Sequence, residues 1–70
     1  MEWSFKTCRY EVQLVSKGDT LECTLANHRG ATLATTLSTF KGRKPSASLR
    51  RRLVSEVIAD FRLLQLWQEG

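Results

Sequence analysis

The chain has 70 residues, 41% of them apolar and 26% charged, with a net charge of +4 and a pI near 9.6. That bounds it to one small folded domain, excludes a disordered tail, and leaves a core of thin margin, so oligomerisation is an open source of support. Two cysteines, Cys8 and Cys23, with no CxxC or CxxH spacing, provide neither a disulfide framework nor a zinc site.

The opening Met1-Glu2-Trp3-Ser4-Phe5-Lys6 lacks a basic start followed by a long apolar run, and no stretch approaches a membrane span. A cytoplasmic (intracellular) protein with reduced thiols is therefore expected.

Three alternating segments come first. In 8–15 the even positions Cys8, Tyr10, Val12 and Leu14 are apolar, which is the two-residue period of a half-buried strand. A turn at 16–19 leads to a second strand at 20–27, where Leu21, Cys23 and Leu25 alternate with polar residues. The turn Asn27-His28-Arg29-Gly30 leads to a threonine-rich third strand at 31–39. A two-residue loop at Lys17 and Gly18 pairs Leu14 with Leu21, Val12 with Cys23 and Tyr10 with Leu25. A three-residue loop of His28, Arg29 and Gly30 pairs Leu25 with Leu33 and Leu21 with Leu37. Both registers put the apolar residues on one face, so Val12, Leu25 and Leu37 are expected in one core. Cys8 and Cys23 then face inward and too far apart to bond. Trp3 and Phe5 break the parity: they either enter the core through a bulge or lie on the open face.

The last third reads as a helix over 46–67. Pro45 ends the loop, Ser46 is a good N-cap, and Leu49, Leu53, Val57, Phe61, Leu64 and Trp67 recur at helical spacing. This stripe covers the greasy face of the sheet. The expected fold is α+β: a three-stranded antiparallel meander covered on one face by a single C-terminal helix, in the order βββα.

The charge pattern is the chemical signal. No acidic residue occurs between Glu22 and Glu56, while Arg29, Lys41, Arg43, Lys44, Arg50, Arg51 and Arg52 all fall there. The segment 41–52 holds six of these cations and feeds into a helix N-terminus, where unsatisfied N–H groups and the dipole favour an anion. Ser46 and Ser48 add hydroxyl donors. Arginines in the first turns oppose the dipole, and an anionic partner would offset that cost. A plainer alternative is a solvated face whose arginines cover Glu56 or the sheet edge.

The open face predicted from this register shows Arg9, Glu11, Gln13, Thr20, Glu22, Thr24, Ala26, Thr32, Ala34, Thr36 and Ser38. It lacks the aromatic platform that stacks single-stranded bases. The third strand is an uncharged edge, and the helix end leaves Leu63, Leu66 and Trp67 as interface candidates, so a homodimer is expected. His28 reads as a turn residue, and Asp60 is expected to meet Lys6 or Arg9. No catalytic residue, metal or other cofactor is implied.

The βββα order resembles the plant ethylene-response DNA-binding domain and the amino-terminal arm-binding domain of phage integrases, whose sheets read the major groove with basic and aromatic residues that this face lacks. It also resembles the second half of a double-stranded-RNA-binding domain, where Lys44 and Arg50 to Arg52 occupy the place of phosphate-gripping lysines. These are likenesses of layout, and no site residue is taken from them.

The expected function is that of a nonenzymatic nucleic-acid-binding protein, on DNA or RNA. Its phosphate contacts would come from Lys41, Arg43, Lys44, Ser46, Arg50, Arg51 and Arg52, with Arg29 from a neighbouring turn. The alternative is a protein-interaction module, a small adaptor or inhibitor of phage or mobile-element type, docking on an acidic surface.

Overall fold

The computed structural model describes residues 2–7 and 9–69, and the side chains of all of these except 5 and 67–69. Four strands precede one helix: β1 (Glu2–Lys6), β2 (Tyr10–Lys17), β3 (Thr20–Asn27), β4 (Thr32–Thr39) and α1 (Ala47–Glu69). The sheet is antiparallel in the order β1-β2-β3-β4. The α+β class stands, with four strands in place of the expected three.

The extra strand explains the broken parity at Trp3. Glu2–Lys6 is a strand of its own, paired to β2 with Trp3 opposite Leu14. The chain reverses between Thr7 and Tyr10: the Thr7 N–H donates to the Tyr10 carbonyl at 2.8 Å, and the Tyr10 N–H donates to Thr7 Oγ1 at 3.1 Å. A threonine hydroxyl thus does what glycine or asparagine does in commoner turns. Trp3 reaches the core face through this hairpin, and neither a bulge nor the open face is needed. The expectations for Cys8, the Phe5 side chain and the Trp67 side chain lie outside what is described.

The β2–β3 register is shifted by two residues from the expected one. Val12 pairs with Leu25, Leu14 with Cys23, and Lys17 with Thr20, so the turn residues are Gly18 and Asp19. Gly18 has φ +60° while Asp19 keeps a negative φ, the pattern of a hairpin turn with glycine first. A shift of two preserves side-chain parity, so the apolar face survives.

The β3–β4 register is where the expectation fails. The three-residue loop forms as expected: Gly30 has φ +83°, and the Asn27 N–H donates to the Ala31 carbonyl at 3.0 Å. Asn27 Oδ1 adds bonds from the N–H groups of Arg29 (2.9 Å) and Ala31 (3.0 Å). Next, Ala26 pairs with Thr32 but Leu25 with Ala34, which leaves Leu33 as an extra residue in a bulge. One inserted residue inverts the parity of everything after it. Leu37 comes opposite Glu22 on the outer face and is 60% exposed, so it is not in the core. Ala34, Thr36 and Ser38, expected outside, take the inner face.

The core is Val12, Leu14, Leu21, Cys23, Leu25, Leu53 and Val57. Small side chains on the inner face of β4 let the helix lie close over β3 and β4. Phe40 and Pro45 close the end beneath the helix start: the Phe40 N–H donates to the Asp19 carbonyl at 2.8 Å, and Pro45 is fully buried. At the other end Tyr10 and Phe61 meet edge to face, 5.4 Å between centroids. A helix of 23 residues is about 34 Å long, against about 26 Å for an eight-residue strand. The last turns therefore pass the sheet, and Leu64 is 52% exposed rather than core.

Replacing Leu53 by alanine should cost about 2–5 kcal/mol in urea denaturation, whereas Leu37→Ala, compared at concentrations where the chain is monomeric, should cost under about 0.5 kcal/mol. Equal losses would contradict the inverted parity of β4.

Burial pushes the Cys23 thiol up from the ordinary 9.0 to about 11. A raised thiol pKa gives stability that is complete below pH 9 and is lost as pH rises toward 11, because the unfolded chain ionises first. The loss should be about 2 kcal/mol, and Cys23→Ala should remove that part of the slope between pH 9 and 11. An unchanged slope in the variant would contradict it.

Candidate functional site

The loop 40–46 and the first turns of α1 lie at the end of the sheet marked by the Gly18 turn. Loop formation rests on Gly42, whose φ of +102° suits glycine, and on Pro45, which anchors the loop in the core. Ser46 caps the helix as expected: its Oγ accepts from the Leu49 N–H at 3.1 Å, and its carbonyl accepts from the Arg50 N–H at 3.1 Å. No acidic residue sits in the first turn. Lys41, Arg43 and Lys44 are exposed on the loop, and Ser46 is exposed beside them.

The three arginines part company, as consecutive helical positions about 100° apart must. Arg50 points toward β1, where its guanidinium carbon lies 4.6 Å from the Trp3 ring centroid. This cation–π contact holds the guanidinium against the indole. Arg50 Nε is buried without a hydrogen-bond partner. Arg51, exposed, joins Arg50 along a groove of about 480 Å³ with Leu14, Ala47, Val54 and Ser55. Arg52 turns the other way, toward β4. Its Nε lies 3.5 Å from Glu56 Oε1, and Nη2 donates to Ser38 Oγ at 3.3 Å. Both partners of that pair are about half exposed, so it contributes little to stability. Arg52 thus meets the plainer reading of the block, covering Glu56 and the sheet edge at β4.

Two expected members are separated from the cluster. Arg29 lies in the turn at the opposite end of β3, about 26 Å away along eight residues of strand, because β3 begins beside the basic loop and ends at Asn27. Arg52 stands on the far flank of the helix. The structure thus brings together Lys41, Arg43, Lys44, Arg50 and Arg51, with Lys17 at the same end of β2. Glu2, Asp19 and Glu22 are the sheet's acids at that end, Glu2 and Glu22 both level with Val15. Asp19 stays local, with Thr20 Oγ1 3.4 Å from its Oδ1.

Trp3 and Lys17 are the residues that sequence reasoning missed here. The signal for Trp3 was the odd parity of positions 3 and 5, which marks a separate strand.

The other candidates lie away from the basic loop. Leu63 (57% exposed) faces the β4 side with Asp60, Leu64, Ala34 and Thr35, and it also lines a groove on the outward flank together with Leu66 (65% exposed), Arg62 and Ala59. Asp60 is therefore on the opposite side of the helix from Arg9, which lies with Tyr10 and Phe61, and it forms no ion pair with Lys6 or Arg9. The outer sheet face carries Glu11, Gln13, Glu22, Thr35 and Leu37, with no aromatic ring among its described side chains. Among the described residues no helix is long and apolar enough to cross a membrane, and no group of three or more His, Cys, Asp or Glu could hold a metal ion. Comparison with known proteins finds no matching family model, curated protein or solved structure.

The Arg50–Trp3 contact should show a coupling of about 0.5–1 kcal/mol in a double-mutant cycle on unfolding, using Arg50→Gln and Trp3→Leu. A coupling of zero would show that the stack does not position the guanidinium.

Proposed function

We propose that the chain is a small nonenzymatic nucleic-acid-binding protein that grips phosphates with Lys41, Arg43, Lys44, Arg50 and Arg51. The observation that supports this most is their concentration at one end of the sheet, around a helix N-terminus, where none of the five forms an ion pair with a described residue. Uncompensated cations at a helix start hold a positive potential that phosphates neutralise. Arg50 is held against Trp3, which lowers the ordering cost of a phosphate contact through its terminal nitrogens. Contacts of this kind fix affinity and orientation without reading bases, and the outer face carries no aromatic platform for stacking. The expectation is therefore weak sequence preference.

A second reading, an interaction module docking on an acidic protein surface, draws support from the exposed Leu63, Leu64 and Leu66 at the helix end. Those leucines lie at the opposite end of α1 from the basic loop. A partner using both would have to span the helix, which favours the phosphate reading for the loop.

Fluorescence anisotropy with short duplex and single-stranded oligonucleotides at several salt concentrations tests the proposal. Five phosphate contacts give a slope of log affinity against log salt of roughly −4.5 on duplex. Arg51→Ala should reduce the slope by about 1 and weaken all sequences alike, while Arg29→Ala should leave it unchanged. Failure of the wild type to bind either form at ~50 mM salt would contradict the proposal and favour the adaptor reading.

A further inference from the structure

The two edges of the sheet are protected very differently. β1 is five residues long and carries Glu2 and Lys6 at its ends, two devices that blunt an edge. β4 has eight residues, no charge, no proline, and its one irregularity lies at the start, at Leu33. From Ala34 to Thr39 it is a flat strand whose outward backbone N–H and C=O groups have no neighbouring strand.

We propose that β4 pairs antiparallel with β4 of a second copy, forming one continuous eight-stranded sheet with both helices on the same face. The occupant is a second copy because the surface complements itself under a two-fold axis. Residues opposite each other in an antiparallel pair share a face, so a register centred on Leu37 sets the two Leu37 side chains together on the outer face. That removes the strand's one large exposed apolar group from water.

The helices fit the same axis. α1 lies over β3 and β4, so with strands about 4.8 Å apart its axis stands about 5 Å from the two-fold. Two such axes come to about 10 Å, a normal packing distance for helices. The flank of α1 facing the partner carries Arg52 beside Ser38 at one end, and Asp60 beside Ala34 and Thr35 at the other. The two-fold reverses that order and brings Arg52 of each copy to the level of Asp60 of its partner. Leu63 and Leu64, on the same flank, add apolar contact. Arg50 and Arg51 lie on the opposite flank and stay open.

Sedimentation equilibrium from about 1 to 100 μM tests it, with circular dichroism to check folding. Wild type should show about twice the 8.0 kDa chain mass. Leu37→Lys should yield a folded monomer. Arg52→Glu should weaken association at least tenfold, and adding Asp60→Arg should restore it. Gln65→Lys, on the side of α1 that faces Arg9 and Tyr10, should leave the dimer intact. A wild-type monomer at 100 μM overturns the proposal, as does a dimer that survives Leu37→Lys or is broken by Gln65→Lys.

Discussion

The bulge at Leu33 sets the side-chain parity of the last strand, and the position of the helix depends on that parity. With Ala34, Thr36 and Ser38 inward, β4 offers a shallow floor, and α1 settles over β3 and β4 with Leu53 and Val57 buried against Leu21, Cys23 and Leu25. Had Leu37 faced inward, its bulk would have held the helix away from β4 and nearer the centre of the sheet. The offset helix leaves the β1 side of the inner face partly open. There Trp3 and Leu14 would lie bare if Arg50 did not lay its guanidinium over the indole. A packing decision at one end of the sheet thus shapes the basic groove at the other side.

The offset also sorts the three consecutive arginines. A helix that sits over β3 and β4 has one flank against a strand edge and one above open sheet. Arg52 finds Ser38 and Glu56 on the first flank, and Arg50 finds Trp3 on the second. Arg51 has neither and stays exposed. A run that looks uniform in sequence becomes one stacked, one free and one paired guanidinium, three chemically different groups.

Much of the fold is legible because period-2 and period-3.6 patterns are strong in this chain: the alternation over 20–27 has the observed bounds of β3, and the Ser46 cap and single C-terminal helix follow from proline, serine and the apolar stripe. What was not legible had particular causes. The first hairpin turns on Thr7, which carries no glycine, proline or asparagine signal, so no turn is legible there and Trp3 and Phe5 read only as a bulge or as open-face residues. The Leu33 bulge is a one-residue event in a strand where threonine alternates with both alanine and leucine, so either parity reads as plausible. The overhang of the helix depends on comparing its length with the sheet, which put Leu64 outside the core. The basic loop itself was read from charge spacing, but its membership needed topology. Only the run of β3 away from the loop shows that Arg29 belongs to the far end.

The central claim is that the end of the molecule built by residues 41–52 is the ligand-facing surface. Amide chemical-shift mapping of isotope-labelled protein titrated with a short duplex oligonucleotide tests it most directly. The account predicts perturbations in 41–52 and around Trp3 and Lys17, with the turn at 28–30 and the helix end unmoved. Perturbations concentrated at 28–30 or on the outer sheet face, or none at all at low salt, would contradict it.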